Sequence, residues 1–393
     1  MDVFLDNCAT TPVDTRVLAA LQLWLSEGWG NASAHGYRLA WDAQRAIEDA
    51  RYEMARSINQ VPASVIFTSG ATESLSTVIR GVVGYQDWER CKLVTLATEH
   101  AAVLQSCRHM RRMTGLELVI LDLDRNGVCD LDEVRAAARS DKRTLVSAMA
   151  ANNETGTILP VDEICQVSQE AGASFLCDLT QAVGKLQVDI SRSNFDFAAF
   201  SSHKIYGPKG VGALVIREGE KFEPLIVGGG QERGLRGGTL NVPGIVGFGE
   251  ACRIAKEEME SDNQRIVQLR DRLEATLMTE LPDIWINGAG AERLCNTSNI
   301  GFRGVDARTM IRDMHDIACS TKSACSSGDS RPSHVLKAIG LTDDEAYSCI
   351  RFSLGRFTTE QEIDYALEKI IGSVRKLRRI AGSAGMNPTR RST

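Results

Sequence analysis

Between residues 65 and 216, short apolar runs alternate with amphipathic stretches, and this rhythm constrains the fold more than any other feature of the chain. The runs occupy residues 65–68, 92–97, 116–121, 145–150, 174–177, 197–201 and 211–216. Helical spacing fills most of the intervals between them. Strands that alternate with helices predict an α/β fold with a mostly parallel seven-stranded sheet covered by helices on both faces.

Residues 1–12 read as an arm that ends at a turn, Thr11-Pro12. A helix over 13–24, a loop over 30–36 and a long amphipathic helix over 37–58 precede the first strand. After the last one, a glycine-rich loop over 228–239 leads into a helical stretch, 245–281, with a charged face. The remainder predicts a smaller α+β domain, with strands at 297–302, 317–320 and 349–354 and helices at 307–314, 333–339 and 360–377. The expected division is an arm (1–12) packing with the small domain, a large domain (13–256), a small domain (257–380) and a flexible basic tail (381–393).

The hydrophobic share of 43% and charged share of 24% over 393 residues are those of an ordinary globular chain. A net charge of −6 gives no electrostatic case for direct nucleic-acid or membrane binding. No run reaches transmembrane length and no signal-type segment follows Met1, so a cytoplasmic protein is expected. The 11 cysteines form no CxxC pair, which argues against both a disulfide framework and a zinc site, and no metal is expected.

In open α/β sheets, ligands bind beyond the carboxyl ends of the strands. Four kinds of group stand there. Lys204 follows the apolar run Phe197-Ala198-Ala199-Phe200 through Ser201, Ser202 and His203, where a desolvated amine can form a Schiff base with a carbonyl. Gly70-Ala71-Thr72 follows a strand and opens a helix, a cradle for an anion to which Ser201 and His203 add hydrogen bonds. Asp178 ends an apolar strand, where a buried carboxylate calls for a cationic partner such as a protonated pyridine nitrogen. His100, after Ala97-Thr98-Glu99, is placed to stack on a planar ring and shuttle a proton. Together they describe a pyridoxal 5′-phosphate site. A nicotinamide site is excluded for want of G-x-G-x-x-G after the first βα strand, and an NTPase for want of G-x-x-x-x-G-K-[ST].

Several segments also resemble a known family. Asp6-Asn7-Cys8-Ala9-Thr10-Thr11-Pro12, Ser69-Gly70-Ala71-Thr72-Glu73, Thr98-Glu99-His100, Ala151-Asn152-Asn153-Glu154, Ser202-His203-Lys204-Ile205-Tyr206-Gly207-Pro208-Lys209-Gly210, Ser323-Ala324-Cys325-Ser326-Ser327-Gly328 and Ile350-Arg351-Phe352-Ser353 resemble the cysteine desulfurases. These are fold type I pyridoxal-phosphate enzymes of the class V aminotransferase group. The resemblance implies a homodimer that converts L-cysteine to L-alanine, carries the sulfur as a persulfide on Cys325 in a mobile loop, and passes it to acceptor proteins. Iron–sulfur assembly, tRNA thiolation and DNA phosphorothioation are the expected destinations. It implies Lys204, Cys325 and His100 as catalytic residues. Ala71, Thr72, Asn152, Asp178, Gln181, Ser201, His203 and Thr239 join His100 and Lys204 around the cofactor, Thr239 from the other subunit. Asn31, Asn152 and Arg351 are the implied substrate contacts. A selenocysteine lyase on the same scaffold is the alternative. Cys8 and Leu179-Thr180 depart from the family's usual residues.

Overall fold

The computed structural model describes residues 1–34, 36–84, 88–322 and 331–385. The arm contributes β1 (Val3–Phe4), followed by α1 (Thr15–Ser26) and α2 (Arg38–Ser57). The alternating region then runs β2 (Val65–Thr68), α3 (Ala71–Gly84), β3 (Cys91–Leu96), α4 (Ala101–Thr114), β4 (Glu117–Leu121) and α5 (Leu131–Ala138). It continues through β5 (Arg143–Met149), α6 (Val161–Glu170), β6 (Ser174–Asp178), the short α7 (Ile190–Ser193), β7 (Phe197–Ser201) and β8 (Gly212–Ile216). All seven expected strands form one sheet in the order β2-β8-β7-β6-β5-β3-β4.

The five strands β7, β6, β5, β3 and β4 are parallel to one another. β8 runs antiparallel to both β7 and β2, so β2 points the same way as β7. The carboxyl ends of β2, β3, β5, β6 and β7 therefore share one edge. Mostly apolar faces explain why the parallel strands read as apolar runs, since helices cover them on both sides.

α8 (Val242–Glu280) is one helix across residues 256 and 257. Its first half places Val242, Ile245, Phe248 and Ala251 in the core of the large sheet. Its second half places Ile266, Leu269, Leu273 and Leu277 in a second core. Gly249 permits the close crossing with α2, because a Cβ there would stand 2.6 Å from the Ala50 Cα. The second core is built on the antiparallel sheet β12-β10-β9, comprising β9 (Ile284–Ile286), β10 (Thr297–Phe302) and β12 (Cys349–Ser353). Helices α9 (Ala307–Asp313) and α12 (Glu360–Gly385) pack on it, and the arm joins it through Val3 and Leu5. β1 pairs in parallel with β11 (Ile317–Ala318). α10 (His334–Ala338) and α11 (Asp343–Tyr347) complete the fold.

Several expectations need correction. α12 continues to Gly385, so the first residues assigned to a flexible tail are helical. β11 stops at Ala318, which leaves Cys319 half-buried beyond the strand rather than within it. β9, α7 and α11 had no expected counterpart. Each is five residues or fewer, shorter than the span over which a period becomes visible.

A buried ion pair ties the glycine-rich loop to the large domain. Arg51 reaches Glu232 with both terminal nitrogens, Nη1 at 2.9 Å and Nη2 at 2.8 Å, and lies over the Phe67 ring. Glu232 also accepts from the Phe67 N–H at 2.8 Å, so its carboxylate is fully used although its backbone φ is +46°. Removing one partner strands a buried charge, and Glu232→Ala is expected to cost about 3 kcal/mol or more in urea unfolding. The double substitution Arg51→Met with Glu232→Leu, which removes both charges, should recover most of that loss.

Candidate active site

One cavity of about 490 Å³ opens at the shared sheet edge. Ala71 and Thr72 line it at the start of α3, His100 beyond β3, Met149 at the end of β5, Asp178 at the end of β6, and Ser201, His203 and Lys204 beyond β7. Gln181 and Arg351 complete its wall. Nine of the residues expected at the site thus meet in one place: Ala71, Thr72, His100, Asp178, Gln181, Ser201, His203, Lys204 and Arg351.

The cradle depends on a close backbone approach. A Cβ at Gly212 would stand 2.5 Å from the Gly70 Cα, so β8 can pass behind the cradle only without a side chain. A Cβ at Gly70 would fill space 3.7 Å from the Ser201 Oγ. The first-turn N–H groups of α3 have no intrahelical acceptor and are available to an anion. Glu73, also on this turn, accepts from the Ser69 N–H at 2.8 Å and from Arg236 Nε at 2.9 Å. The glycine-rich loop is thereby fastened to the cradle.

Lys204 Nζ donates to the carbonyls of Cys8 at 2.6 Å and Ala9 at 2.7 Å. Gln181 Nε2 donates to the same Cys8 carbonyl at 3.0 Å. The Gln181 Oε1 is buried with no hydrogen-bond partner, an acceptor waiting for a donor. Asp178 is buried at 6% exposure, and its Oδ1 accepts from the Thr180 N–H at 2.9 Å. These features fit the expected cofactor. The residues that would offer an anion cradle, a carboxyl for the ring nitrogen, an amide for the ring hydroxyl and an amine for the aldehyde all line one space.

Both imidazoles are pushed toward the neutral form. Burial lowers the His100 pKa, opposed by Asp178 and assisted by Lys204. Its Nδ1 accepts from the Ala102 N–H at 3.1 Å, which caps α4 and leaves the ring proton on Nε2. Burial lowers His203 to about 4, with Lys204 adding to the effect. His203 Nδ1 lies 3.1 Å from Thr10 Oγ1. Beneath them Glu99 is wholly buried, and burial together with Asp178 raises its carboxyl well above the usual range. Its Oε1 accepts from the Met149 N–H at 2.6 Å.

Arg351 is fully buried on β12. Its Nη1 donates to the Asn153 carbonyl at 2.8 Å and its Nη2 to Asp6 Oδ1 at 2.6 Å. Asp6 was not among the expected site residues. The signal was available, because a buried arginine requires a nearby anion.

Three expected residues are placed differently, and a fourth lies outside the described residues. Asn152 does not line the cavity, and its neighbour Asn153 does. The Asn152 amide is consumed by its own turn: Oδ1 accepts from the N–H groups of Glu154 and Thr155, and Nδ2 donates to the Thr98 carbonyl. Asn31 is exposed, away from the cavity, with its Oδ1 bonded to the Ser33 N–H. Thr239 is likewise exposed and outside the cavity of its own chain. Cys325 lies outside the described residues. Of the departing pair Leu179-Thr180, only Thr180 lines the cavity, while Leu179 is buried in the core. Cys8, Ala9 and Thr10, to which the sequence assigns no site role, form one wall.

The depressed His203 pKa has a stability consequence. Between its usual value of 6.5 and about 4, the unfolded chain binds a proton that the folded chain refuses, so stability falls as pH drops through that window. In the protein freed of bound ligands, urea midpoints measured from pH 7 to pH 4 should decline. His203→Gln, which has no proton to take up, should show a shallower decline by up to one proton's worth.

The class-V aminotransferase family matches residues 3–366. A cysteine desulfurase IscS from Anaeromyxobacter sp. (strain Fw109-5) is 42% identical over 381 residues, covering 96% of this chain and 94% of its own length. A solved NifS-like protein superposes with a TM-score of 0.88 at 36% identity, covering 96% of this chain and 100% of its own. A second solved structure, SspA in complex with cysteine, has a TM-score of 0.81 at 33% identity and covers 91% and 100%. With its sheet order, its strand-end cavity and relatives matched along nearly the whole length, the chain belongs to the class-V aminotransferase family and, within it, to the cysteine desulfurases.

Proposed function

We propose that the cavity holds pyridoxal 5′-phosphate on Lys204 and converts L-cysteine to L-alanine, with the sulfur taken up by Cys325. The observation that carries this reading is the convergence of Lys204, Asp178, His100, Gln181 and Arg351 on one cavity. Ala71, Thr72, Ser201 and His203 would hold the phosphate and Asp178 the ring nitrogen. Gln181 would accept from the ring hydroxyl, and Asn153 takes the place expected of Asn152. When bound, the cofactor supplies a sink for the charge left on a substrate carbon that loses its proton.

The chain's own groups divide the remaining tasks. Arg351 offers a planar guanidinium to the substrate carboxylate. Once it leaves the Cys8 and Ala9 carbonyls, the Lys204 amine accepts the Cα proton. His100, neutral with its proton on Nε2, presents a donor rather than a second cation. The Cys325 thiolate attacks the substrate sulfur. A sulfur–sulfur bond forms, the carbon–sulfur bond breaks with its electron pair moving to carbon, and two protons, one added at Cβ and one returned to Cα by the Lys204 amine, complete L-alanine.

Cys325 is favoured as acceptor by the condition of seven of the other thiols. Burial pushes Cys107, Cys165, Cys252, Cys319 and Cys349 up to about 12, and Cys129 and Cys295 up to about 11, far from ready nucleophiles. Lys322 does not simply hang beside Cys325 in solvent, because it is buried and its Nζ donates to the Arg331 carbonyl at 3.2 Å. An exposed Thr239 on a loop anchored at both Glu232 and Arg236 supports a site shared between two subunits. Acceptor proteins would receive the persulfide sulfur. No helix of the described residues is long and apolar enough to cross a membrane. No observation favours the selenocysteine alternative.

Borohydride reduction of the purified protein, followed by peptide mass analysis, should place the cofactor on Lys204. A label on Lys209, which also lines the cavity, would overturn the assignment.

Cys325→Ser should still bind cysteine but form alanine at least about a hundredfold more slowly, whereas Cys319→Ser keeps its turnover. An undiminished rate in Cys325→Ser would remove that residue from the mechanism.

A further inference from the structure

Arg351 already holds a carboxylate before any substrate arrives. Asp6 Oδ1 lies 2.6 Å from its Nη2, and Arg351 itself lines the cavity. Nη1 is committed to the Asn153 carbonyl, and the buried Nε has no partner. Each terminal nitrogen keeps a second N–H, so the guanidinium end can still receive a carboxylate in two-point fashion. It would then share a single positive charge between two anions.

Asp6 is not free to step aside. Its Oδ2 accepts from Ser320 Oγ at 2.8 Å, and its carbonyl accepts from the Ala9 N–H at 2.9 Å. Its backbone bridges to Ser353, two residues from Arg351 on the same strand. Ser320 is itself paired with Arg351 through both backbone groups, at 2.7 and 3.2 Å. The acid is thus fixed beside the arginine by the strand that carries the arginine. A group needed only as a counter-charge could be loosely held, whereas this one is held on the guanidinium that lines the cavity.

Building on the reading of Arg351 as the carboxylate anchor, we propose that Asp6 sets the affinity of the site for α-carboxylates by competing for that guanidinium. The competition weakens substrate and product alike. Weak uniform binding raises KM without slowing the chemical step, and it lets L-alanine leave. A support that merely oriented Arg351 would have the opposite sign, because its loss would weaken carboxylate binding.

The sign is measurable. The holoenzyme and its Asp6→Asn variant are titrated with L-alanine, following the absorbance of the bound cofactor, and with L-alaninamide, which has no carboxylate. Asp6→Asn should bind L-alanine about tenfold more tightly, show a KM for cysteine lowered in parallel, and leave L-alaninamide affinity unchanged. An L-alanine Kd that stays constant or rises overturns the inference, as does an equal gain for L-alaninamide. Ser320→Ala, which frees one oxygen of Asp6, should shift the Kd in the same direction by less. It decides the matter by the same criterion if Asp6→Asn does not fold. Arg351→Gln separates the two layers: loss of L-alanine binding with L-alaninamide retained upholds the anchor, and unchanged L-alanine binding refutes the anchor itself.

Discussion

The carbonyl oxygen of Cys8 accepts from both Lys204 Nζ and Gln181 Nε2, at 2.6 and 3.0 Å. On this meeting point the geometry of the site depends. The arm that supplies it threads between two cores. Leu5 belongs to the small one, Asn7 and Cys8 bond to Ser353, and Thr11 bonds to the His203 carbonyl on the large one. Further along, Asp14 takes Arg16 and Arg356, joining the start of α1 to the turn after β12. A segment with almost no secondary structure of its own is held by partners from both domains. It sets the distance between the lysine of one domain and the arginine of the other.

That dependence explains what was legible in the sequence. The seven strands were readable because each shows as an apolar run, six of them mostly buried and β4 half-buried at the sheet edge. Asp178, Ser201 and Lys204 were readable because parallel strands deliver whatever follows them to one edge. The arm's contribution is carried largely by main-chain carbonyls, which have no residue signature. Asn152 and Asn153 are chemically identical neighbours, and only the turn decides which amide closes it and which residue faces the cavity. α11 had a readable start, since Thr342 and Glu345 form a capping box, but its five residues gave no period to support it. Asn31 and Thr239 sit apart from the cavity of their own chain, a position no single-chain pattern encodes.

The electrostatics of the cavity follow from how deeply its groups are buried. His100 and His203 are driven neutral by desolvation, with Lys204 reinforcing both shifts. Glu99 is raised well above the usual carboxylate range by the same cause, with Asp178 reinforcing it. Burial therefore disfavours the charged form of all three groups. An anion held there rests on helix N–H groups, a serine hydroxyl and neutral imidazole rather than on opposed full charges.

The charges that remain are then sharply localised. Arg351 is kept cationic in a fully buried position by Asp6, while the arm's carbonyls receive the Lys204 amine without adding a negative charge beside it. The difference between the two partners is chemical. A carbonyl can release a lysine at the cost of two hydrogen bonds, whereas a carboxylate keeps its hold on an arginine through Coulomb attraction as well. The lysine is thus partnered for departure and the arginine for permanence. That contrast matches one group that must change covalent partners and one that must stay in place while substrate and product exchange across it.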